Sequence, residues 1–338
     1  MNADYAATID HNSVALFCID APLSSYLASL IARNQLHQTQ IALLNRLYLV
    51  FPLSGTTSGH TDMIVHHLDG TAFDCVQHAS VRSMFKLVAD VRQRYRGKPV
   101  YVYHRADNAI GRLIRHLLPQ AIHIVLEHGN SETWSYIRSC QKRRTNEKSY
   151  GKKIYLLSFY DEVCTYLERH NITPNIRAYP LKPLVAPFLE SYRHELHNDR
   201  SLFFMSPLVD DWMIAADEVR FALSRFLARR PERHYLLKPH PRRCGATMQI
   251  TCEVLDQHGC SYEVLSPSNE IAEVAFLKSD VSEVCSFFST ATFWIHKFYG
   301  VPFDSMVPEL LNTQSRTAEF QEAVKIFHKL FCHEWGRV

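Results

Sequence analysis

The sequence carries no surplus of either charge. Its 37 Lys and Arg residues stand against 34 Asp and Glu, for a formal charge of +3. That balance excludes a dedicated nucleic-acid binder, which needs a clear basic excess. No apolar run approaches the roughly 20 residues of a membrane span. The opening MNADYAATIDHNS lacks a basic stretch followed by an apolar one, so no secretory signal is read there. None of the nine cysteines forms a C-x-x-C pair. Cys244, Cys252 and Cys260 are evenly spaced but lack the close pairs of structural zinc sites. There is no H-E-x-x-H, no internal repeat and no low-complexity segment. These absences argue against a metalloprotein and a disulfide scaffold, and a reducing cytoplasm is the expected compartment.

The remaining composition is that of an ordinary globular protein. The 338 residues are 46% hydrophobic and 21% charged. This is enough for about two domains and for cores that need no staples. The 19 histidines stand out, and only their positions can give them meaning.

Short apolar runs alternate with longer helical patterns. Val14 to Ile19, Val100 to Tyr103, His123 to Leu126 and Ile154 to Leu157 read as buried strands, as does the run Leu47 to Phe51. Leu23 to Ala32, Val81 to Tyr95, Ala109 to Leu118 and Asp161 to Arg169 have helix periodicity. Prolines 180, 183 and 187 and a polar run up to Arg200 suggest a domain junction. A second series follows. Its strands are Leu202 to Met205, Tyr235 to Leu237, Tyr262 to Leu265 and Val281 to Phe287. Its helices are Ala215 to Ala228, Met248 to His258, Glu270 to Lys278 and a closing Thr317 to Cys332. Such alternation predicts an α/β protein of two Rossmann-like domains, 1–198 and 199–338, facing a cleft in the GT-B glycosyltransferase manner.

In open α/β sheets, ligands bind beyond the carboxyl ends of the strands. Five segments place polar residues there. Tyr235-Leu-Leu-Lys238-Pro239-His240-Pro241-Arg242-Arg243 delivers cations and a backbone-restricted histidine to one loop. That grouping suits a departing phosphate, although a plain basic turn would use the same residues. Ser286-Phe-Phe-Ser289-Thr290 brings hydroxyls to a helix start, where they either cap the helix or bind an anion. Glu127-His128-Gly129-Asn130 sets a carboxylate directly after a strand, as a general base or a surface acid. Ser206-Pro207-Leu208-Val209-Asp210-Asp211 adds two carboxylates, and Glu270 opens a helix after Ser266-Pro267.

Together these segments resemble the bacterial sialyltransferases. The family is the lipooligosaccharide sialyltransferases numbered 52 among glycosyltransferases, with their polysialyltransferase relatives. Glu127-His128-Gly129 is similar to the acidic-acidic-Gly motif, with His128 in place of the second acid. His240-Pro241 is similar to the His-Pro motif, and Ser289-Thr290 to the paired hydroxyls. Leu16 to Leu23, with Asp20 and Pro22, and Phe204 to Asp211 are weaker echoes.

The resemblance implies inverting transfer of sialic acid from CMP-Neu5Ac to a sugar hydroxyl, a terminal galactose of a bacterial surface glycan. Glu127 would take the acceptor proton and His240 would assist departure of the CMP phosphate. Lys238, Ser289 and Thr290 would hold that phosphate and Glu270 the ribose. Ser206, Pro241 and Ser286 would line the donor side. Asp20, Pro22, His128, Gly129 and Asn130 would face the acceptor, with Asp210 or Asp211 as alternative bases. No metal or other cofactor is implied. The partners implied are the CMP-sugar and a glycan or glycolipid acceptor, with peripheral contact at the cytoplasmic face of the inner membrane left open. The basic stretch Lys142 to Lys153 reads either as a solvated loop or as a contact with an anionic membrane surface or acceptor lipid. A homodimer stays open and nucleic acid is not expected. Two alternatives also stay open: a transferase using CMP-Kdo or another CMP-nonulosonate, and a non-catalytic nucleotide-sugar or carbohydrate-binding protein.

Overall fold

The computed structural model describes residues 5–45, 64–105, 113–114, 116–126, 154–158, 176–189, 199–230, 233–240, 244–266, 270–311 and 313–314, with 318, 320–322, 324–325 and 328. The chain divides into two compact units. The first ends at Leu189, and the second holds the described residues from Asp199 onward.

The first unit is built on a seven-stranded sheet. Its strands are β1 (Val14–Ile19), β2 (Thr39–Asn45), β3 (Cys75–Ala79), β4 (Val100–Arg105), β5 (Ile122–Leu126), β6 (Ile154–Ser158) and β7 (Ile176–Pro180), in the order β3-β2-β1-β4-β5-β6-β7. Every neighbouring pair is parallel. Strands buried on both faces read as continuous apolar runs, and VALFCI is buried throughout.

Helix α1 (Pro22–Ala32) follows β1, and α2 (Val81–Arg94) follows β3. Val14, Leu16 and Cys18 pack with Ile41, Leu43 and Val102 against Met84, Leu87, Val88 and Val91 of α2. The alternate residues supply the opposite face, where Phe17 stacks on Tyr103 at 4.4 Å. Ser80 starts α2 by accepting a hydrogen bond from the Ser83 amide at 3.1 Å.

After β7 comes the short α3 (Lys182–Val185). The Asn34 amide side chain donates to Leu184 O at 2.7 Å and ties this turn to the end of α1. Two of the prolines read as linker therefore belong to packed structure: Pro180 ends β7 and Pro183 sits in the first turn of α3.

The second unit carries a five-stranded parallel sheet. Its strands are β8 (Arg200–Phe204), β9 (His234–Lys238), β10 (Ser261–Val264), β11 (Glu283–Ser286) and β12 (Phe303–Ser305), in the order β10-β9-β8-β11-β12. Its helices are α4 (Ala216–Ala228), α5 (Gly245–Gln257), α6 (Ala272–Leu277), α7 (Thr290–Tyr299) and α8 (Val307–Leu310). Gly300 closes α7 with a φ of 71°, the left-handed conformation that glycine adopts without steric cost.

Both sheets reverse their winding once, between β1 and β4 in the first and between β8 and β11 in the second. The α/β, doubly wound expectation therefore holds. The expected strand Leu47 to Phe51, the helix Asp161 to Arg169 and the basic stretch Lys142 to Lys153 lie outside the described residues.

Candidate functional site

The crossover point of the second sheet collects most of the expected donor-side residues. β8 leads through Met205 to Ser206, β9 ends at Lys238 and β11 ends at Ser286. Main-chain bonds extend the ladder past the strand ends: Met205 N donates to Lys238 O, and Met306 N to Ser286 O, both at 3.0 Å. Ser206 Oγ donates to Phe288 O at 3.3 Å, joining the β8 and β11 loops. Ser286 Oγ accepts from the Ser289 amide at 3.2 Å.

Ser289 caps α7 by accepting from the Ala291 amide at 3.2 Å. Thr290 is the first helical residue. The first turn of α7 contains no acidic residue, and the last turn carries His296 and Lys297. The amino end of the helix, where the dipole is positive, is thus left without a carboxylate from its own turn.

Lys238 is only 6% exposed. Burial pushes its ammonium below the usual lysine range, while the charges of Glu270 and Cys244 pull it back up. Glu270 forms an ion pair with Lys278. His240 is half-buried, and its main-chain N–H donates to the Cys244 sulfur. Cys244 also feels the charges of Asp210 and Lys238. One cluster of loops thus gathers Lys238, His240, Cys244, Asp210 and Glu270. Pro241 lies outside the described residues.

Asp210 does something other than what its position suggested. Its carboxylate accepts from Ala246 N at 3.0 Å, Thr247 N at 3.1 Å and Thr247 Oγ1 at 2.8 Å. It therefore caps α5 from 36 residues away along the chain. Burial raises its pKa, but these hydrogen bonds outweigh burial and hold it below the usual carboxylate range. The carboxylate therefore serves as a cap on α5, and its hydrogen bonds make it a weaker proton acceptor than an ordinary carboxylate. Asp211 is half-buried in the same turn, its N–H donating to Pro207 O at 2.8 Å.

The first sheet shows the corresponding arrangement at its own crossover. Asp20 follows β1 and is buried, and Pro22 opens α1. Arg105, the last residue of β4, lies 3.8 Å from the Asp20 carboxylate. Burial raises the Asp20 pKa, with Arg105 and the Ser24 hydroxyl opposing. Ser24 Oγ also accepts from Ala21 N at 3.0 Å and donates to Ala21 O at 2.7 Å. Glu127, His128, Gly129 and Asn130 follow β5 and lie outside the described residues.

Sequence reasoning missed Arg105, which the pairing of β1 with β4 brings beside Asp20. It weighed Cys244 only against zinc spacing, although His240 and Lys238 share its loop. Among the described residues, no group of three or more His, Cys, Asp or Glu could hold a metal ion. No described helix is long and apolar enough to cross a membrane.

No protein-family model and no curated protein matches the sequence. Solved structures do match. A Listeria monocytogenes protein assigned as a UDP-N-acetylglucosamine 2-epimerase is similar at 10% identity and TM-score 0.53, over 96% of this chain and 89% of that one. The S. aureus MnaA–UDP complex matches at 9% identity and TM-score 0.53, over 95% and 88%. The Neisseria meningitidis UDP-GlcNAc 2-epimerase bound to UDP-GlcNAc matches at 13% identity and TM-score 0.50, over 92% and 85%. At these identities the likeness shows the fold: two Rossmann-like units of the GT-B kind.

The same findings correct the resemblance drawn from short motifs. The family-52 sialyltransferase assignment does not hold, because no family model matches and these neighbours are UDP-GlcNAc 2-epimerases. The physical reason is that hydroxyls, prolines and histidines after strands are what this fold places at any phosphate-binding edge.

Proposed function

We propose that the protein is a nucleotide-sugar-dependent enzyme, a glycosyltransferase, whose donor phosphate binds at the β8/β11 crossover. The observation that carries this reading is that β9 ends at buried Lys238 and β11 runs through Ser289 and Thr290 into the carboxylate-free start of α7, at the same edge of one sheet. A cation, hydroxyls and helix amides together suit a phosphate ester. Structural neighbours bound to UDP and to UDP-GlcNAc make a uridine diphosphate sugar the first donor to test. CMP-linked sugars are the second.

In this reading Lys238 and the α7 amides stabilise the negative charge that grows on the leaving phosphate. His240 donates a proton or hydrogen bond to the same phosphate. Glu270 accepts from the ribose hydroxyls. Glu127, directly after β5 in the first unit, takes the proton of the acceptor hydroxyl. The acceptor oxygen bonds to the anomeric carbon as the carbon–phosphate oxygen bond breaks, and the electron pair leaves with the nucleotide. Lys238 and the helix start neutralise charge that other enzymes assign to a metal, so activity should survive EDTA.

Calorimetry with UDP and CMP tests the site. The expected result is binding by the wild type and loss of at least tenfold in affinity in Lys238→Met, a change of about 1.4 kcal/mol or more. The melting temperature serves as the control for folding. Unchanged affinity in a folded Lys238→Met protein would move the phosphate elsewhere. Donor binding without release of nucleotide on any acceptor panel would leave a binding protein and reject the enzyme.

A further inference from the structure

The turn after β8 is unusually well fastened. Leu208 and Ile214 are buried at its two ends. Asp211 N donates to Pro207 O at 2.8 Å, Trp212 N to Val209 O at 3.0 Å, and Met213 N to Leu208 O at 2.9 Å. Val209 N donates to Thr247 Oγ1 at 3.1 Å, and Asp210 caps α5. Within this rigid turn Trp212 adopts a φ of +56°. Side chains as large as indole rarely occupy that left-handed region, and such outliers gather at functional sites.

The same residue is 71% exposed, more than any other large apolar side chain among the described residues. This turn holds its tryptophan outward at the carboxyl edge of the second sheet, two residues from Asp210.

We propose that Trp212 is a platform on which a pyranose ring of the sugar substrate stacks. The C–H face of a sugar packs on the flat indole while its hydroxyls stay free for directional hydrogen bonds. The inference rests on the nucleotide-sugar reading of this edge and adds a division of labour. Lys238 and α7 take the nucleotide phosphate, and Trp212 takes the sugar.

The test titrates UDP, UDP-GlcNAc, CMP and CMP-Neu5Ac into the wild type, Trp212→Ala and Trp212→Phe. Trp212→Ala should bind the free nucleotide like the wild type and the matching nucleotide sugar about tenfold more weakly, the scale of one aromatic contact. Trp212→Phe should lose less. Trp212→Gly, which accepts the left-handed backbone without strain, should melt no lower than the wild type and so separates recognition from folding. Equal affinity of Trp212→Ala and the wild type for the nucleotide sugar overturns the proposal. So does equal loss for nucleotide and nucleotide sugar. A wild type that binds none of the four defeats the nucleotide-sugar reading itself, and this inference with it.

Discussion

Two buried polar networks, one in each unit, rest on different chemistry. In the first, a neutral chain runs from Ser13 Oγ to His37 Nδ1 at 2.7 Å, from His37 Nε2 to Tyr103 Oη at 2.8 Å, and on to Tyr5 Oη at 2.8 Å. In the second, Arg230 pairs with Glu283 and, at 2.8 Å, with Asp304. Arg229 extends that network to Glu309 at 2.7 Å. Ser201 Oγ donates to Glu283 at 2.9 Å, so the ions lie toward the amino ends of β8 and β11, away from the candidate site.

Removing one member of a buried ionic network leaves the others uncompensated, whereas a neutral chain loses one hydrogen bond. The Ser13–His37–Tyr103–Tyr5 chain can therefore tolerate loss of a link that the Arg230 network cannot. Both arginines follow the last turn of α4, where the helix dipole also favours cations.

The largest effect should come from Arg230→Met, which strands Glu283 and Asp304. It should destabilise the second unit by about 3–5 kcal/mol, read from denaturant unfolding with a probe in that unit. A loss below about 1 kcal/mol would mean that the carboxylates neutralise by taking up protons, and the contrast between the units would weaken.

Next comes pH, where the two units carry groups of opposite sign. Burial, with help from the charge of His11, holds the His37 pKa at about 4 against an ordinary 6.5. The folded state thus excludes a proton that the unfolded chain binds. His37 therefore withdraws up to about 3 kcal/mol as pH falls from 6.5 to 4. Burial raises Glu273 of α6 from 4.5 to about 7. Its folded form keeps a proton that the unfolded chain has lost. It therefore withdraws up to about 3 kcal/mol as pH rises from 4.5 to 7. Hydrogen exchange in β1 and β11 at pH 5 and 7, for the wild type, His37→Asn and Glu273→Gln, should show each variant flattening only its own unit. Profiles parallel to the wild type would remove these residues as the source.

The smallest effect is Tyr5→Phe, which cuts the end of the neutral chain. It should cost about 1 kcal/mol in the first unit. A cost near that of Arg230→Met would show the neutral chain to be as interdependent as the ionic one.

The fold was legible where burial dictates composition. β1, β4, β9 and the core of β11 announce themselves as apolar runs between helical patterns. β12 did not, because it is three residues long and carries Asp304, whose burial makes sense only beside Arg230. β2, β3 and β7 were missed: the apolar part of β2 is only Ile41–Leu44, and Gln77, His78 and Arg177 interrupt the other two. At the candidate site, Lys238, Ser286 and Ser289 could be read as residues following strands. The duty of Asp210 could not, because its partners Ala246 and Thr247 are set by the packing of α5 and leave no local signature. Motif order suggested one family too readily, since a shared edge geometry selects similar residues in unrelated chains.

The cap on α5 has a consequence for ligand register. A parallel sheet offers a positively polarised helix start after each strand, so an incoming phosphate meets several near-equivalent berths. Asp210 acts as an internal competitor at one of them, already supplying the negative charge and the acceptor oxygens that α5 would otherwise seek from solution. An anion arriving at that edge would have to displace a tethered carboxylate at α5, but faces only neutral hydroxyls at the start of α7. In the proposed site, the filled start of α5 leaves that of α7 as the berth for a phosphate.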